Sequence, residues 1–402
     1  MQDTDNKSKL LAALLCGNML EYFDFFLFAH FSFILAPLFY PPISPGIDSI
    51  IHSTFFAIGF LARPLGAFIF GKIADIQGRK PCLMMTVIGI TIPTLIIGLL
   101  PTYNQIGILA PIILIICRVF QGIAVGGEFN NGAILLMESF GWKKAGTMSG
   151  YYNAASGTGS LLAILCIMIV TKQDMPTWVW RVPFFIAAIL GLVGFYLRQF
   201  IKESPEFLHF NKKKVLAPAK LMPQHFKAFW VGAVSGVLIW IPLSFTSMYM
   251  TKVAGFSLQE GIKITTLAIL LHNITTFIMG KISDKVGLWP MFFGALLFAI
   301  INYYPCFILL QNKHFVLFQV LTVIPAGVVY AVLHPLISYD VPPHSRGRVV
   351  GFSFSLGLSL FAGLTPMITS SILYMGNGKL TLIALYVITS IIAAFVMLRK
   401  YW

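Results

Sequence analysis

Five ionisable residues stand inside long apolar stretches of this chain: Glu21 and Asp24 in the first, Arg63 in the second, Arg118 and Glu128 in the fourth. An ionisable group at membrane depth is costly, and where one persists it is a functional candidate. Glu21 and Asp24 are three apart and so share one face of a helix. Burial disfavours the charged form of a carboxylate, which suits these acids to carrying a proton. Three acids against two arginines leave one surplus negative charge, for a proton or a substrate cation to neutralise. The competing reading is a set of structural ion pairs closing the first, second and fourth stretches together, and the residues alone leave both open. Tyr22, with Tyr151, Tyr152, Trp240 and Tyr249, could shape a pocket for an ammonium group through cation–π contacts. His30, His272 and His334 read as packed, hydrogen-bonded residues.

A second kind of pattern occurs twice. Gly71-Lys72-Ile73-Ala74-Asp75-Ile76-Gln77-Gly78-Arg79-Lys80 follows the second apolar stretch, and Gly280-Lys281-Ile282-Ser283-Asp284-Lys285-Val286-Gly287 follows the eighth. The two begin 209 positions apart, about half of the 402-residue chain. A repeat at that spacing marks a membrane protein built from two similar halves, with a substrate path between them. Gly71 and Gly78 permit close packing and a tight turn. Asp75 can accept bonds from a neighbouring helix N-terminus or from an arginine. Arg79 and Lys80 would anchor the turn at the membrane surface. The pattern reads as a gate latch, with Gly280 and Asp284 as the corresponding positions of a weaker second copy.

The elements that must position these residues are membrane spans. The chain is 57% hydrophobic and 10% charged, where a soluble domain has roughly 25% charged residues. Runs of about 20 apolar residues place helices near 10–36, 50–71, 82–100, 108–137, 145–170, 180–200, 227–251, 262–281, 290–310, 315–338, 348–373 and 380–398. The segment 201–226 reads as a cytoplasmic linker between a first half, 1–200, and a second, 227–402. Its Lys212-Lys213-Lys214 run reads as a topology signal. The net charge of +14 does not point to nucleic acid. Twenty of the 28 basic residues, Arg198, Lys227 and Arg346 among them, fall in segments on the side of both termini, which the positive-inside rule makes cytoplasmic. The five cysteines are scattered singly and read as small core residues.

Glycines at 122, 126 and 127 in the fourth stretch would let another helix approach. Gly157-x-Gly159 lacks the strand-turn-helix setting of a dinucleotide site and reads as helix packing.

The Gly71–Lys80 signature and Arg118-x-x-Gln121-Gly122 resemble the signatures of the major facilitator superfamily. Gly17-Asn18-Met19-Leu20-Glu21-Tyr22-Phe23-Asp24-Phe25, Gly126-Gly127-Glu128-Phe129, Trp180-Arg181-Val182-Pro183-Phe184-Phe185 and Glu203-Ser204-Pro205-Glu206-Phe207 narrow the likeness to its metabolite:proton symporter branch, in particular the proline/betaine transporters. The resemblance implies an all-α integral membrane protein of twelve helices in two six-helix bundles. It also implies alternating access, proton symport and a bacterial inner membrane. It places Gln121 with Glu21, Tyr22, Asp24, Arg63, Arg118 and Glu128 along the proton and substrate path. That branch also holds carriers of 2-oxoglutarate, citrate and shikimate. Arg118 and the Gly71–Lys80 loop resemble the 2-oxoglutarate carriers, whereas Ala362-Gly363-Leu364-Thr365-Pro366 resembles the proline/betaine type. A small zwitterion is the first expectation and a di- or tricarboxylate the second. Leu288-Trp289 stands where the family often has arginines, so the second latch should be the weaker.

No His-Glu-x-x-His, Gly-x-Ser-x-Gly or His/Cys cluster occurs, so neither an enzyme nor a metal site is expected. The expected partners are a small-molecule solute and the lipid bilayer, with no nucleic acid. No cofactor is expected beyond protons as coupling ion, and the chain is expected to act as a monomer.

Overall fold

The structure is a computed structural model that describes residues 2–40, 45–170, 175–176, 178–209, 221–375 and 380–401. Lys212, Lys213 and Lys214 lie outside the described residues, as does the His30 side chain. Twelve long apolar helices form where the apolar runs are: α1 (Gln2–Phe39), α2 (Pro45–Ile76), α3 (Arg79–Leu99), α4 (Leu109–Phe140), α5 (Ala145–Val170) and α6 (Val182–Gln199). After them come α7 (Met222–Lys252), α8 (Leu258–Val286), α9 (Leu288–Gln311), α10 (Phe315–Ser338), α11 (Pro343–Leu373) and α12 (Leu380–Leu398). Each is long and apolar enough to cross a membrane.

The helices of each half pack in one pattern. α2 and α3 both lie on α4, as α8 and α9 lie on α10; α1 packs on α5 and α6, as α7 packs on α11 and α12. Between the halves, α2 lies along α11 and α5 along α8, a crossing that repeats under the same exchange. Small residues set the closeness of these contacts. A Cβ on Gly126 would fall 2.1 Å from the backbone oxygen of Arg63, so only glycine lets α4 lie this tightly on α2. A Cβ on Gly159 would meet the Met19 carbonyl of α1, so the Gly157-x-Gly159 stretch is indeed helix packing.

Two helices of the second half are locally unwound to π turns, Ile241–Phe245 in α7 and Ser359–Gly363 in α11. The buried carbonyl of Pro242 accepts from the Gln319 amide of α10 at 2.8 Å, and Ser359 donates to the Phe60 carbonyl of α2. Side chains thus satisfy backbone groups that lipid could not.

Several expectations are corrected. The signature is mostly helical: Asp75 lies in the last turn of α2, and only the step through Gly78 (φ 113°) breaks the chain before α3. Gly287 (φ 102°) makes the corresponding step between α8 and α9. Arg79 does not anchor a surface turn, because it is fully buried. Arg198 belongs to α6 and Arg346 to α11, and both are buried. Lys227 is buried near the start of α7 and pairs with Asp340. Cys82, Cys117 and Cys306 are core residues, but Cys16 is exposed.

Candidate functional site

Apart from Arg63 and the latch residues described below, the buried charges of the first half form two groups. In the first, Arg198 of α6 donates from Nη2 to Glu128 Oε1 at 2.5 Å, and the same nitrogen stands 3.9 Å from Glu21 Oε2. Its Nη1 donates to the Leu83 carbonyl at 3.0 Å, and Thr86 donates to the other Glu128 oxygen. Among the described residues, neither oxygen of Glu21 accepts a hydrogen bond. Two carboxylates therefore share one guanidinium, and Glu21 is the less compensated.

In the second group Asp24 and Arg118 are linked through a relay rather than by contact. Thr94 donates to Asp24, Gln121 donates to Thr94 Oγ1 at 2.7 Å, and Arg118 donates to Gln121 Oε1 at 2.9 Å. The Arg118 guanidinium rests on the Phe28 ring, 4.1 Å from its centroid. The structure groups the expected Glu21, Asp24, Arg118, Gln121 and Glu128 in these two sets and adds Arg198, which sequence reasoning had counted among the cytoplasmic basic residues. With it, the two groups and Arg63 together hold three acids and three arginines, so the surplus negative charge expected from the sequence is not a property of the whole set. It is local to Glu21, Glu128 and Arg198.

A cavity lies between the halves, with residues of both in its wall. The first half lines it with Tyr22, Phe60, Arg63 and Phe129, and the second with Trp240, Ser244, His272 and Tyr330. Leu243 and Ala362 bring both π turns to its wall, and unwound turns of this kind often accompany function. Arg63 is the one charged residue among those lining it. Of the expected path residues, Arg63 and Tyr22 reach the cavity, while the acids, Arg118 and Gln121 are not among the residues lining it. Of the expected aromatics, Trp240 joins Tyr22 there. Tyr151 instead stacks on Phe277 at 4.9 Å, and Tyr152 lies in the core. His334 packs against Phe129, with ring centroids 4.7 Å apart. Tyr330 and His272 were missed as a lining pair; nothing in their local sequence separates them from ordinary core residues.

At one end the halves are latched. Asp75 accepts from the backbone N–H groups of Gly347 (2.8 Å) and Arg348 (3.0 Å) on α11, and from Arg348 Nε at 3.1 Å. Arg79 donates to Asp75 (3.2 Å), to Glu138 (3.2 Å) and to the Pro343 carbonyl (2.5 Å). Glu138 also binds Arg346 at 2.5 Å and Ser204 at 2.6 Å, and Arg346 reaches Glu206 of the short helix Pro205–His209 at 3.0 Å. Asp284 makes the equivalent crossing from α8 to α5, accepting from the N–H groups of Gly146 (2.8 Å) and Thr147 (3.1 Å) and from the Thr147 hydroxyl (2.5 Å). Both aspartates thus take helix N–H donors from the other half. Gly71 sits against Gly347 and Gly280 against Gly150, where added side chains would collide with backbone. Lys80 closes the α3 end through the Gln199 carbonyl at 2.6 Å.

The sequence model of the Major Facilitator Superfamily matches residues 14–366. The proline/betaine transporter of Salmonella typhimurium is 29% identical over 399 residues, which cover 92% of this chain and 78% of that protein. The glycine betaine/proline/ectoine/pipecolic acid transporter OusA of Dickeya dadantii is 30% identical over 391 residues, with the same coverage of 92% and 78%. Among solved structures, the proton:xylose symporter XylE superimposes with a TM-score of 0.81 at 14% identity, over 99% of this chain and 96% of that one. The human organic anion transporter MFSD10 does so with a TM-score of 0.70 at 14% identity, over 98% and 99%. At such identities the structural likeness speaks for the fold alone. Fold and sequence agree: the chain belongs to the major facilitator superfamily and is a multi-pass membrane transporter, not an enzyme.

Proposed function

We propose that the transporter takes up a small zwitterionic solute of the proline/betaine type together with a proton, by alternating access in a bacterial inner membrane. Its halves, 1–200 and 227–402, would rock about the cavity, with the 201–226 linker and both termini on the cytoplasmic side. The observation that carries this reading is the cavity wall. It presents one cation, several aromatic rings and neutral polar groups, while Glu21, Asp24 and Glu128 are not among the residues lining it. A dianion would meet only one compensating charge there. The names of the sequence relatives support the same solute class.

Proton coupling rests on the Glu21–Glu128–Arg198 group. Two carboxylates on one guanidinium carry a surplus negative charge that one shared proton removes. One charge moving through 100 mV supplies about 2.3 kcal/mol, or roughly a 50-fold gradient at about 1.4 kcal/mol per tenfold. A single proton is enough to concentrate a neutral solute.

The test is uptake of labelled proline into proteoliposomes with an imposed proton gradient, with and without an uncoupler. Accumulation should collapse with the uncoupler, and excess betaine should block it where 2-oxoglutarate does not. Accumulation indifferent to the uncoupler sinks the coupling, and labelled 2-oxoglutarate uptake insensitive to both zwitterions sinks the solute class. Orientation is checked with single cysteines at Asn104 and Lys285 in a cysteine-free background. An impermeant thiol reagent outside the cell should label the first and not the second, and the reverse labelling overturns the topology.

A further inference from the structure

Arg63 is 4% exposed, yet among the described residues it has neither a hydrogen bond nor an ion pair. Its guanidinium carbon lies 4.3 Å from the centroid of the Phe25 ring and 4.1 Å from that of Phe60. The two rings fix it by cation–π contact and cannot accept its N–H groups in the plane. The helix beneath it is held too, because Gly126 is packed on the Arg63 carbonyl. The cation within 4 Å of Glu21 is Arg198, at 3.9 Å. A buried guanidinium with five donors and no acceptor is half of a binding site.

Two more donors stand beside it. Tyr22 of α1 and Tyr330 of α10 line the same cavity as Arg63. Neither hydroxyl hydrogen-bonds to another described residue, and neither is sealed from the cavity. We infer that Arg63, Tyr22 and Tyr330 form a cradle for a single carboxylate, and that this cradle is the specificity element of the proposed solute site. The inference rests on that reading for the identity of the solute, not for the cradle itself. A planar guanidinium matches a carboxylate with two parallel N–H donors, and the phenols can satisfy the remaining lone pairs. One guanidinium neutralises one negative charge, so the cradle takes a monocarboxylate and leaves the opposite wall, with Trp240, Ser244 and His272, for the cationic or neutral end of the solute. The position of Tyr330 adds a consequence. It belongs to the second half and Arg63 and Tyr22 to the first, so a carboxylate held by all three favours the conformation in which the halves close on it.

The probes are glycine betaine and choline, which share a trimethylammonium head and differ in the carboxylate. Binding to the full-length protein in lipid nanodiscs is measured by titration calorimetry. The wild type should bind betaine at least 30-fold more tightly than choline. Arg63→Gln should weaken betaine by roughly 30-fold or more, the low end for removing one partner of a buried charged pair, leave choline unchanged, and so abolish the discrimination. Tyr330→Phe should weaken betaine about 5-fold, as for one lost neutral hydrogen bond, again without effect on choline. That variant decides the matter if Arg63→Gln does not fold. Betaine binding within twofold of wild type in a folded Arg63→Gln protein, or, failing that protein, in Tyr330→Phe, overturns the cradle. So does an altered proton dependence in Arg63→Gln with the betaine preference intact, which would make Arg63 a countercharge for Glu21. A wild type that binds neither betaine nor proline but binds 2-oxoglutarate, with that binding lost in Arg63→Gln, overturns both the proposed solute and the cradle's selectivity for a monocarboxylate.

Discussion

Away from the latches and the Lys227–Asp340 pair, α1 to α6 bury Glu21, Asp24, Glu128, Arg63, Arg118 and Arg198, whereas α7 to α12 bury His272, His334, Gln319 and a set of hydroxyls. The latches differ in the same sense. Asp75 sits in a network with Arg79, Glu138, Arg346 and Arg348, while Asp284 is held by two backbone N–H groups and one hydroxyl. The backbone breaks fall the other way, with both π turns in the second half and both at the cavity wall. Two halves with one packing plan thus divide the work. The first carries fixed charge on continuous helices. The second offers a neutral wall on helices that are already locally unwound. Pseudo-symmetry sets where the parts stand and leaves their chemistry free.

The largest effect should come from the centre of the charged latch. Arg79→Met leaves Asp75 and Glu138 buried with one fewer cation, a loss of about 3–5 kcal/mol for a broken buried network. Turnover should fall by roughly 100-fold or more, with solute affinity little changed because Arg79 is remote from the cavity lining. Turnover near that of the wild type would mean that the charges at this end are ornament and that the two latches are equivalent.

Charge in the first half should also decide coupling. Glu21→Gln removes the less compensated acid of the pair on Arg198. Accumulation should drop from about 50-fold to equilibrium, while exchange of labelled for unlabelled solute persists. His272→Gln in the second half should keep accumulation. If the two outcomes are exchanged, the proton travels through the neutral half and the division is wrong.

The apolar runs, the repeat and the acid positions were legible in the sequence because each is a local pattern. Arg198 was not, since an arginine in the last turn of a span is ordinarily a topology signal. Only the fold brings it back to Glu21 and Glu128, 177 and 70 positions earlier in the chain. The burial of Arg79 was hidden for the same reason: Glu138 and Pro343 meet it from far along the chain. Tyr330 shows the limit most plainly, being one aromatic among many until α10 places it in the same cavity wall as Arg63.

The two aspartates can be compared directly. Asp75→Asn removes charge from a site that binds Arg79 and Arg348 as well as two N–H groups, and should cut turnover roughly 30-fold, at about 2 kcal/mol for charged hydrogen bonds. Asp284→Asn faces only neutral donors and should cost about 5-fold, near 1 kcal/mol. The solute dissociation constant should stay within about twofold in both, since neither residue lines the cavity. Equal losses would show that the common element, capping of the partner half's helix, is the whole function of the motif.

The smallest effect separates formal charge from buried charge. Arg348 binds Asp75 through Nε at 3.1 Å, but its side chain is 41% exposed. An exposed ion pair contributes only about 0.2–1 kcal/mol and is screened by salt. Arg348→Ala should therefore lower turnover less than about 5-fold, and by less still at high salt. Thr147→Ala removes the one hydroxyl on Asp284 and leaves both N–H donors. Its effect should be of the same small size and independent of salt. The contrast between the latches then resides in Arg79 and Glu138, which water does not reach, and not in the count of arginines. If Arg348→Ala instead matched Asp75→Asn, the first latch would be held from its exposed rim, and raising the salt concentration should make the two halves behave alike.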